Sequence, residues 1–449
     1  MTNASLYKSH LETLDKVLAD ALERAGAQGL VLDGVLFHAG RAETYHVDDK
    51  EIPFESTPHF RRWIPLAGPE HVVLARPGRR PFVVRVNPRD YWYEAAPVPP
   101  SYWQEAVQFA EVTDFSEVAG VVGSLSGIAY VGNSPAAATE LGIDVTLVEP
   151  DALMKPLDWH RATKTAHEVA LIEAAARKAA EGHRVGRKAF EGGASEREIH
   201  YAYLQATGQL EHELPFETII ALDAKSATLH YHTKRGREAA PGKVFLLDAG
   251  ASHEGYASDI TRTWALPGVD PVFIALLEGV DELERDLVAM VTPGRPYLEV
   301  HLEAHRRVAT LLSKVGVSTA SPEETLALGI SRTFLPHGVG HHLGIQVHDI
   351  GGRQASPDGG LLSPPPDYPF LRNTRTLEPG HLVTIEPGIY FIPMLLEKLR
   401  ESAAGARVDW ALVDRLTPCG GIRIEDDVLC TPAGARDLTR PLIQGPRGA

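Results

Sequence analysis

Asp248 and Asp259 stand eleven residues apart in KVFLLDAGASHEGYASDITRTWAL, one closing an apolar run and the other opening the next. The stretch reads as two strands joined by a turn of small and polar residues that includes His253, Glu254 and Gly255. A turn centred on His253 and Glu254 sets the two aspartates opposite each other, with their side chains on one face. Opposed carboxylates repel. A fold that keeps both must therefore place positive charge between them or turn both to solvent.

Three further segments narrow that choice. PHGVGHHLGIQVHDIGG brings His337, His341, His342 and His348 into one glycine-rich loop, where tight backbone turns allow close approach to a ligand. No cysteine pairs accompany them, so the spacing is not that of a zinc finger. LVTIEPGIYF runs a β-branched strand into Glu386, and Pro387 and Gly388 bend or stop it. A carboxylate at the end of an apolar strand is costly unless paired. In GGIRIEDDVLC, alternation puts Ile422 and Ile424 on one face and Arg423 and Glu425 on the other. Each segment alone also fits a bland reading, as a solvated strand end or a surface ion pair worth little. Together, four carboxylates and one imidazole carry a charge of about −4, which two divalent cations neutralise. An oxygen-rich donor set favours hard cations, with Mn2+ preferred and Co2+ or Zn2+ able to use the same ligands.

The rest of the chain sets the frame. A length of 449 residues with 44% hydrophobic content is long for one core and predicts two domains. The formal charge of −15 argues against a general nucleic-acid binder and against docking on an anionic membrane. Two cysteines, Cys419 and Cys430, exclude a disulfide framework. The opening MTNASLYKSHLETLDKVLADALERAG spaces Leu11, Leu14, Val17 and Leu18 as an amphipathic helix, with neither the core nor the cleavage site of a signal peptide. No apolar run approaches about 18 residues, so no membrane span is expected, and the location expected is the cytoplasm.

Residues 1–160 read as a small α/β domain, with strands expected at 29–33, 71–75, 81–86, 128–132 and 145–149 and a helix in PAAATELG closed by Gly142. Tyr91, Trp92, Tyr93 and Trp103 flank the proline stretch 97–100, either packing under a loop or walling a site or another subunit. Residues 161–449 open on a long Ala-rich helical segment and continue with SEREIHYAYLQATG, helical stretches at 271–291 and 297–315, and the strands that carry the acids. The class is α+β.

The motifs carry a specific likeness. DAG with a second Asp eleven residues on, HGxGH, TIEPGIY and GGIRIED resemble, in that order, the metallopeptidase family of pita-bread (creatinase/aminopeptidase-like) fold, which includes methionine aminopeptidase, aminopeptidase P and prolidase. DDKEIPFESTPHFRRWIP, DYWYEAAPVPPSYW and IIALDAKSATLHYH extend the resemblance over nearly the whole chain to the bacterial Xaa-Pro dipeptidase group. The resemblance implies an N-terminal creatinase-like domain and a pita-bread catalytic domain. It implies that Asp248 chelates one metal, Asp259 and Glu425 bridge two, and His341 and Glu386 complete the second. It places His337 beside the metals, gives His348 and Glu386 catalytic roles, and gives His230, Arg423 and Tyr297 the substrate, with His230 and Arg423 reaching its carboxylate. Phe216 stands where the group has tyrosine, His342 where proline is usual, and Asp427 where asparagine is expected.

The activity so implied is attack of a hydroxide shared by two metals on the bond before proline in a dipeptide, by a homodimer, with side activity on organophosphate esters. Competing expectations are an aminopeptidase P that trims longer peptides and a metal-free binding protein of the same fold. The latter should lack several of the five ligands, and all five are present.

Overall fold

The computed structural model describes residues 2–92, 101–237 and 241–444, and it divides into two compact units. The first runs up to Arg161, with Thr165–Val169 and Gln354–Gly360 added. The second takes Ala162–Lys164, Ala170–Arg353 and the chain from Leu361 on.

The first unit opens with helix α1 (Asn3–Ala27), whose Thr2 cap accepts a hydrogen bond from the Ser5 N–H. The helix buries Leu11, Leu14 and Leu18 in one stripe, each worth about 2 kcal/mol of apolar burial. Strands β1 (Gly34–His38), β2 (Val72–Ala75), β3 (Phe82–Val86), β4 (Gln108–Val112) and β5 (Ile128–Val131) form one sheet in the order β4-β3-β2-β1-β5. Two expected strands differ. The run at 29–33 is a turn around Gly29, Val31 is 81% exposed, and the strand begins at Gly34 instead. The run at 145–149 coils into a 3-10 turn because the Asp144 carboxylate caps the Thr146 N–H. Trp103 is buried in this unit's core, whereas Tyr91 and Trp92 are exposed. Tyr93 and the proline stretch 97–100 lie outside the described residues. Pro156 sits inside helix α2 (Asp151–Arg161).

The second unit contains helix α3 (Ala166–Glu191) from Ala170 on, then α4 (Glu196–Thr207), which begins with a Ser195–Glu198 capping box. Strands β6 (Ile219–Leu222), β7 (Val244–Asp248) and β10 (Thr261–Ala265) form an antiparallel sheet in the order β10-β7-β6. Between β7 and β10 lies the short hairpin of β8 (Ser252–His253) and β9 (Tyr256–Ala257). Two amphipathic helices, α5 (Pro271–Val288) and α6 (Tyr297–Lys314), bury Phe273, Leu276, Val280, Val300, Val308 and Leu312. Their core also takes Ile385 of β11 (Leu382–Ile385), Ile389 of β12 (Gly388–Tyr390), Ile422 of β13 (Gly421–Arg423) and Val428 of β14 (Asp426–Thr431). Anchoring these apolar positions turns the intervening polar ones the other way. Both cysteines are free.

This unit also buries neutral histidines. Burial pushes His183 and His305 down to about 3, His381 to about 3 and His301 to about 4. An unfolded chain protonates them near 6.5, so their contribution is fully present above that pH and is lost as pH falls toward 4. Each costs about 1.4 kcal/mol of stability per pH unit in that window. Tm by calorimetry should fall about ten degrees or more between pH 6.5 and 5. A flat Tm over that range contradicts the account.

Candidate metal centre

The apolar run VFLLD drives β7 through the core, all five residues buried, and releases Asp248 at its end. The turn that follows is centred on Glu254 and Gly255, both at positive φ (48° and 84°). It falls one residue later than expected, so Thr261, not Asp259, pairs with Asp248. A slip of two residues keeps the side-chain face, since strand alternation has period two. Asp259 therefore remains a diagonal neighbour of Asp248.

His341 reaches the aspartates because the glycine loop can press against β11. At Gly340 (φ 150°) a Cβ would lie 2.0 Å from the Thr384 carbonyl oxygen and 2.2 Å from the Tyr297 hydroxyl. Only glycine fits there. The His341 Nδ1–H donates to the His342 carbonyl (3.0 Å), which leaves the Nε2 lone pair facing the carboxylates. That atom lies 3.5 Å from Asp259 Oδ2 and 3.7 Å from Glu386 Oε1. Glu425 arrives across a bridge to β10: its N–H donates to the Thr261 carbonyl (3.0 Å), and the Thr261 hydroxyl donates back to Glu425 Oε2 (2.6 Å). Asp259, His341 and Glu425 each offer a donor atom, all within 4.8 Å of one another. Asp248 and Glu386 line the same cavity, of about 820 Å³, with Phe216, His230, His337, His348, Arg372 and Arg423.

Electrostatics mark the cluster as incomplete without cations. Burial first, then the neighbouring carboxylates, hold Asp259, Glu386 and Glu425 well above the usual carboxylate range. Asp248 Oδ1 and Asp259 Oδ1 are buried with no hydrogen-bond partner among the described residues. Burial pushes His341 down to about 4, so its imidazole is neutral and available as a donor at pH 7. Four carboxylates and one neutral imidazole suit two divalent cations.

The neighbouring groups form a directional chain. The His337 Nδ1–H donates to the Gly338 carbonyl (2.8 Å), so Nε2 accepts from the Tyr390 hydroxyl (2.8 Å). The same hydroxyl accepts from Arg423 Nη1 (2.9 Å), and Arg423 Nη2 donates to Asp248 Oδ2 (2.5 Å). Arg423 Nε donates to Thr261 as well (3.2 Å). The guanidinium expected to clamp a substrate carboxylate is thus already committed to Asp248. Arg372 lines the cavity with its side chain exposed and was not singled out in the sequence, where an arginine in RNTRT carries no signal. Tyr390 was missed too, although it sits in the quoted LVTIEPGIYF and alternation puts it on the Glu386 face.

His348 meets His341 edge to face, with ring centroids 4.4 Å apart, and burial pushes it down to about 3. Tyr297 differs from expectation: it is fully buried beneath Gly340, and its hydroxyl donates to the Thr384 carbonyl (2.8 Å). It supports the glycine loop from below and is not among the cavity-lining residues. His342 does not compete with His341. It is buried and packs edge to face on His381, centroids 4.9 Å apart.

The profile of metallopeptidase family M24 matches residues 170–432, and that of the Xaa-Pro dipeptidase N-terminal domain matches residues 5–159. The chain is 41% identical over 447 residues to a Xaa-Pro dipeptidase of Stenotrophomonas maltophilia (strain K279a), covering 99% of this chain and 98% of that protein. It is 42% identical over 442 residues to one of Xanthomonas oryzae pv. oryzae (strain MAFF 311018), covering 98% of each. Among solved structures it resembles proline aminopeptidase P II from Yersinia pestis (TM-score 0.70, 22% identity, 98% and 97% coverage). It also resembles zinc-substituted Escherichia coli aminopeptidase P in complex with product (TM-score 0.68, 22% identity, 94% of each chain). At those identities the structural likeness speaks for the fold alone, a pita-bread domain and a smaller N-terminal domain.

Proposed function

The chain belongs to metallopeptidase family M24 and to its Xaa-Pro dipeptidase group, and from that membership we propose that it hydrolyses Xaa-Pro dipeptides at the five-donor centre. It is a metal-dependent peptidase. The observation that carries the reading is the convergence of Asp248, Asp259, His341, Glu386 and Glu425 on one cavity, with two aspartate oxygens left without protein partners. Those five residues would hold two divalent ions, Mn2+ by preference, with Co2+ or Zn2+ as substitutes. Bound there, the ions supply acidity to a water molecule and a Lewis acid to the scissile carbonyl.

The chain's own residues do the rest. Glu386 takes the proton from the attacking water and delivers it to the departing proline nitrogen, which as a tertiary amide lacks an N–H and leaves only when protonated. His348, neutral and at the cavity wall, donates a hydrogen bond to the oxygen that gains charge. His337 stays neutral, pushed down to about 3 by burial, and orients Tyr390 and through it Arg423. Arg423 in turn fixes the rotamer of Asp248. His230 and the exposed Arg372 receive the carboxylate of proline, and that carboxylate one residue past the cut restricts substrates to dipeptides. The reading assigns Tyr297 to loop support in place of substrate contact. The same centre has the chemistry for slow hydrolysis of organophosphate esters.

The reading includes a homodimer in the cytoplasm. None of the described helices is long and apolar enough to cross a membrane. Aminopeptidase P activity fits less well, because relatives near 41% identity are dipeptidases whereas the aminopeptidase structures stand near 22%.

The test is hydrolysis of an Xaa-Pro dipeptide and an Xaa-Pro-Xaa tripeptide by protein stripped with chelator and then given Mn2+. Dipeptide turnover should vanish on stripping and return with Mn2+, tripeptide turnover should stay at least about 100-fold lower, and Arg372→Ala should narrow that gap, chiefly by raising KM for the dipeptide. Equal kcat/KM on both substrates sinks the dipeptidase assignment, and turnover that survives stripping sinks the metal mechanism.

A further inference from the structure

We propose that a second cavity, which adjoins the catalytic one and has His301 and His305 at its buried end, is a binding site for a small organic carboxylate with an apolar body. The cavity has a volume of about 450 Å³, within the range of small-molecule sites. His301 and His305 stand one helical turn apart on α6, and each is 1% exposed. The Tyr368 ring packs on both imidazoles, its centroid 4.7 Å from each. His305 Nδ1 meets the Ser331 hydroxyl at 3.2 Å. Both nitrogens of His301 and Nε2 of His305 are buried with no hydrogen-bond partner among the described residues. Burial keeps the two rings neutral, so each carries one N–H and one lone pair. A buried polar pair left in that state is costly, and neither histidine lines the catalytic cavity.

The rest of the lining selects the ligand. Leu335, Leu371, Leu395 and Leu399 give the cavity apolar walls. Arg332 and Lys398 line it against a single acid, Asp367, which Arg332 engages at 3.2 Å. Lys398 is exposed on the helix Pro393–Glu401 and forms no ion pair among the described residues. A small carboxylate supplies the acceptor oxygens that the imidazoles lack and the negative charge that the excess cation complements, and its hydrocarbon body covers the leucines. A metal ion fits less well, because no third His, Cys, Asp or Glu of the described residues joins the two histidines in one donor group. Pro336, His337, Pro369, Phe370 and Leu395 line both cavities, so the two sites share a wall.

The probe is cinnamate, titrated by calorimetry into the full chain with Mn2+ present. One equivalent should bind with a Kd below about 1 mM. Lys398→Met, at an exposed position outside the catalytic machinery, should weaken binding about 10-fold and leave dipeptide hydrolysis unchanged. His301→Phe keeps a ring against Tyr368, removes both nitrogens and should weaken binding by a similar factor. Arg372→Ala, in the catalytic cavity, should leave the affinity as it is. No binding at millimolar cinnamate overturns the proposal, as does an affinity that either Lys398→Met or a folded His301→Phe leaves unchanged. A loss of affinity on Arg372→Ala puts the carboxylate in the catalytic cavity and overturns it too. Lys398→Met decides alone where His301→Phe fails to fold.

Discussion

Asp259→Asn should lower kcat/KM for an Xaa-Pro dipeptide by about 10⁴, or roughly 5.5 kcal/mol of transition-state stabilisation. Asp259 is the one carboxylate that lies with both His341 and Glu425 inside the 4.8 Å donor group, and its Oδ1 has no protein partner. The amide that replaces it is uncharged and would turn either a carbonyl or an N–H toward a cation, so the ligand that the proposed centre would share between two ions is lost. The sign for stability is opposite. Burial and Asp248 already hold the Asp259 carboxyl up. Removing one of several crowded carboxylates relieves repulsion in the metal-free protein, so its Tm should not fall. Metal content, Tm with and without chelator and steady-state kinetics together make the check. A variant that keeps a tenth of kcat/KM with a full complement of metal would remove Asp259 from the ligand set.

The largest stability effect is expected at a residue that touches no substrate. Arg440 pairs with Asp426 (2.8 Å), Asp281 (2.6 Å) and Glu284, and both Asp426 and Glu284 are fully buried. Arg440→Met strands Glu284 and leaves Asp426 with Arg262 alone. Losing one partner of a buried ion cluster costs about 3–5 kcal/mol, a fall in Tm of about ten degrees. Burial, then Asp426, already raise the Glu284 carboxyl well above its usual range, with Arg440 opposing. Without Arg440 that carboxyl rises further. A group raised in the folded state is stabilising when protonated and costs stability as pH climbs through its folded value. The deficit of the variant should therefore be largest near pH 7 and shrink at pH 5. Denaturation of both proteins at the two pH values tests this; a deficit that grows on acidification contradicts it. Arg262, which also donates to the Glu425 carbonyl at 2.7 Å, ties the same cluster to a ligand strand, so metal affinity should drop with stability.

The donor set was legible because each donor sits where strand chemistry makes a lone charge expensive. Asp248 and Glu386 end apolar runs, and Glu425 alternates with Ile422 and Ile424, both of which the core takes. What escaped depended on depth and on backbone detail. The one-residue shift of the turn at Glu254 came from two consecutive positive-φ residues, and nothing in SHEG chooses between adjacent centres. Tyr297 looked like a pocket residue by resemblance, but its partner is the Thr384 carbonyl, far away in the chain. VTLVE has strand composition, yet one local cap at Asp144 decides its conformation. Arg423 was read correctly as facing the acids; which anion it serves depends on a distance of 2.5 Å that pattern cannot supply.

Gly340 has a consequence for anyone altering this chain. A Cβ there would sit inside both a backbone carbonyl and the Tyr297 hydroxyl, so the position admits no side chain without moving β11 or the loop. Both of those elements carry donors of the proposed metal centre, His341 on one side and Glu386 just past the other. Mutational libraries built to broaden specificity should therefore find Gly340 barren, even though it lines the cavity, while productive diversity gathers at Phe216, Phe370 and Arg372, which line it too.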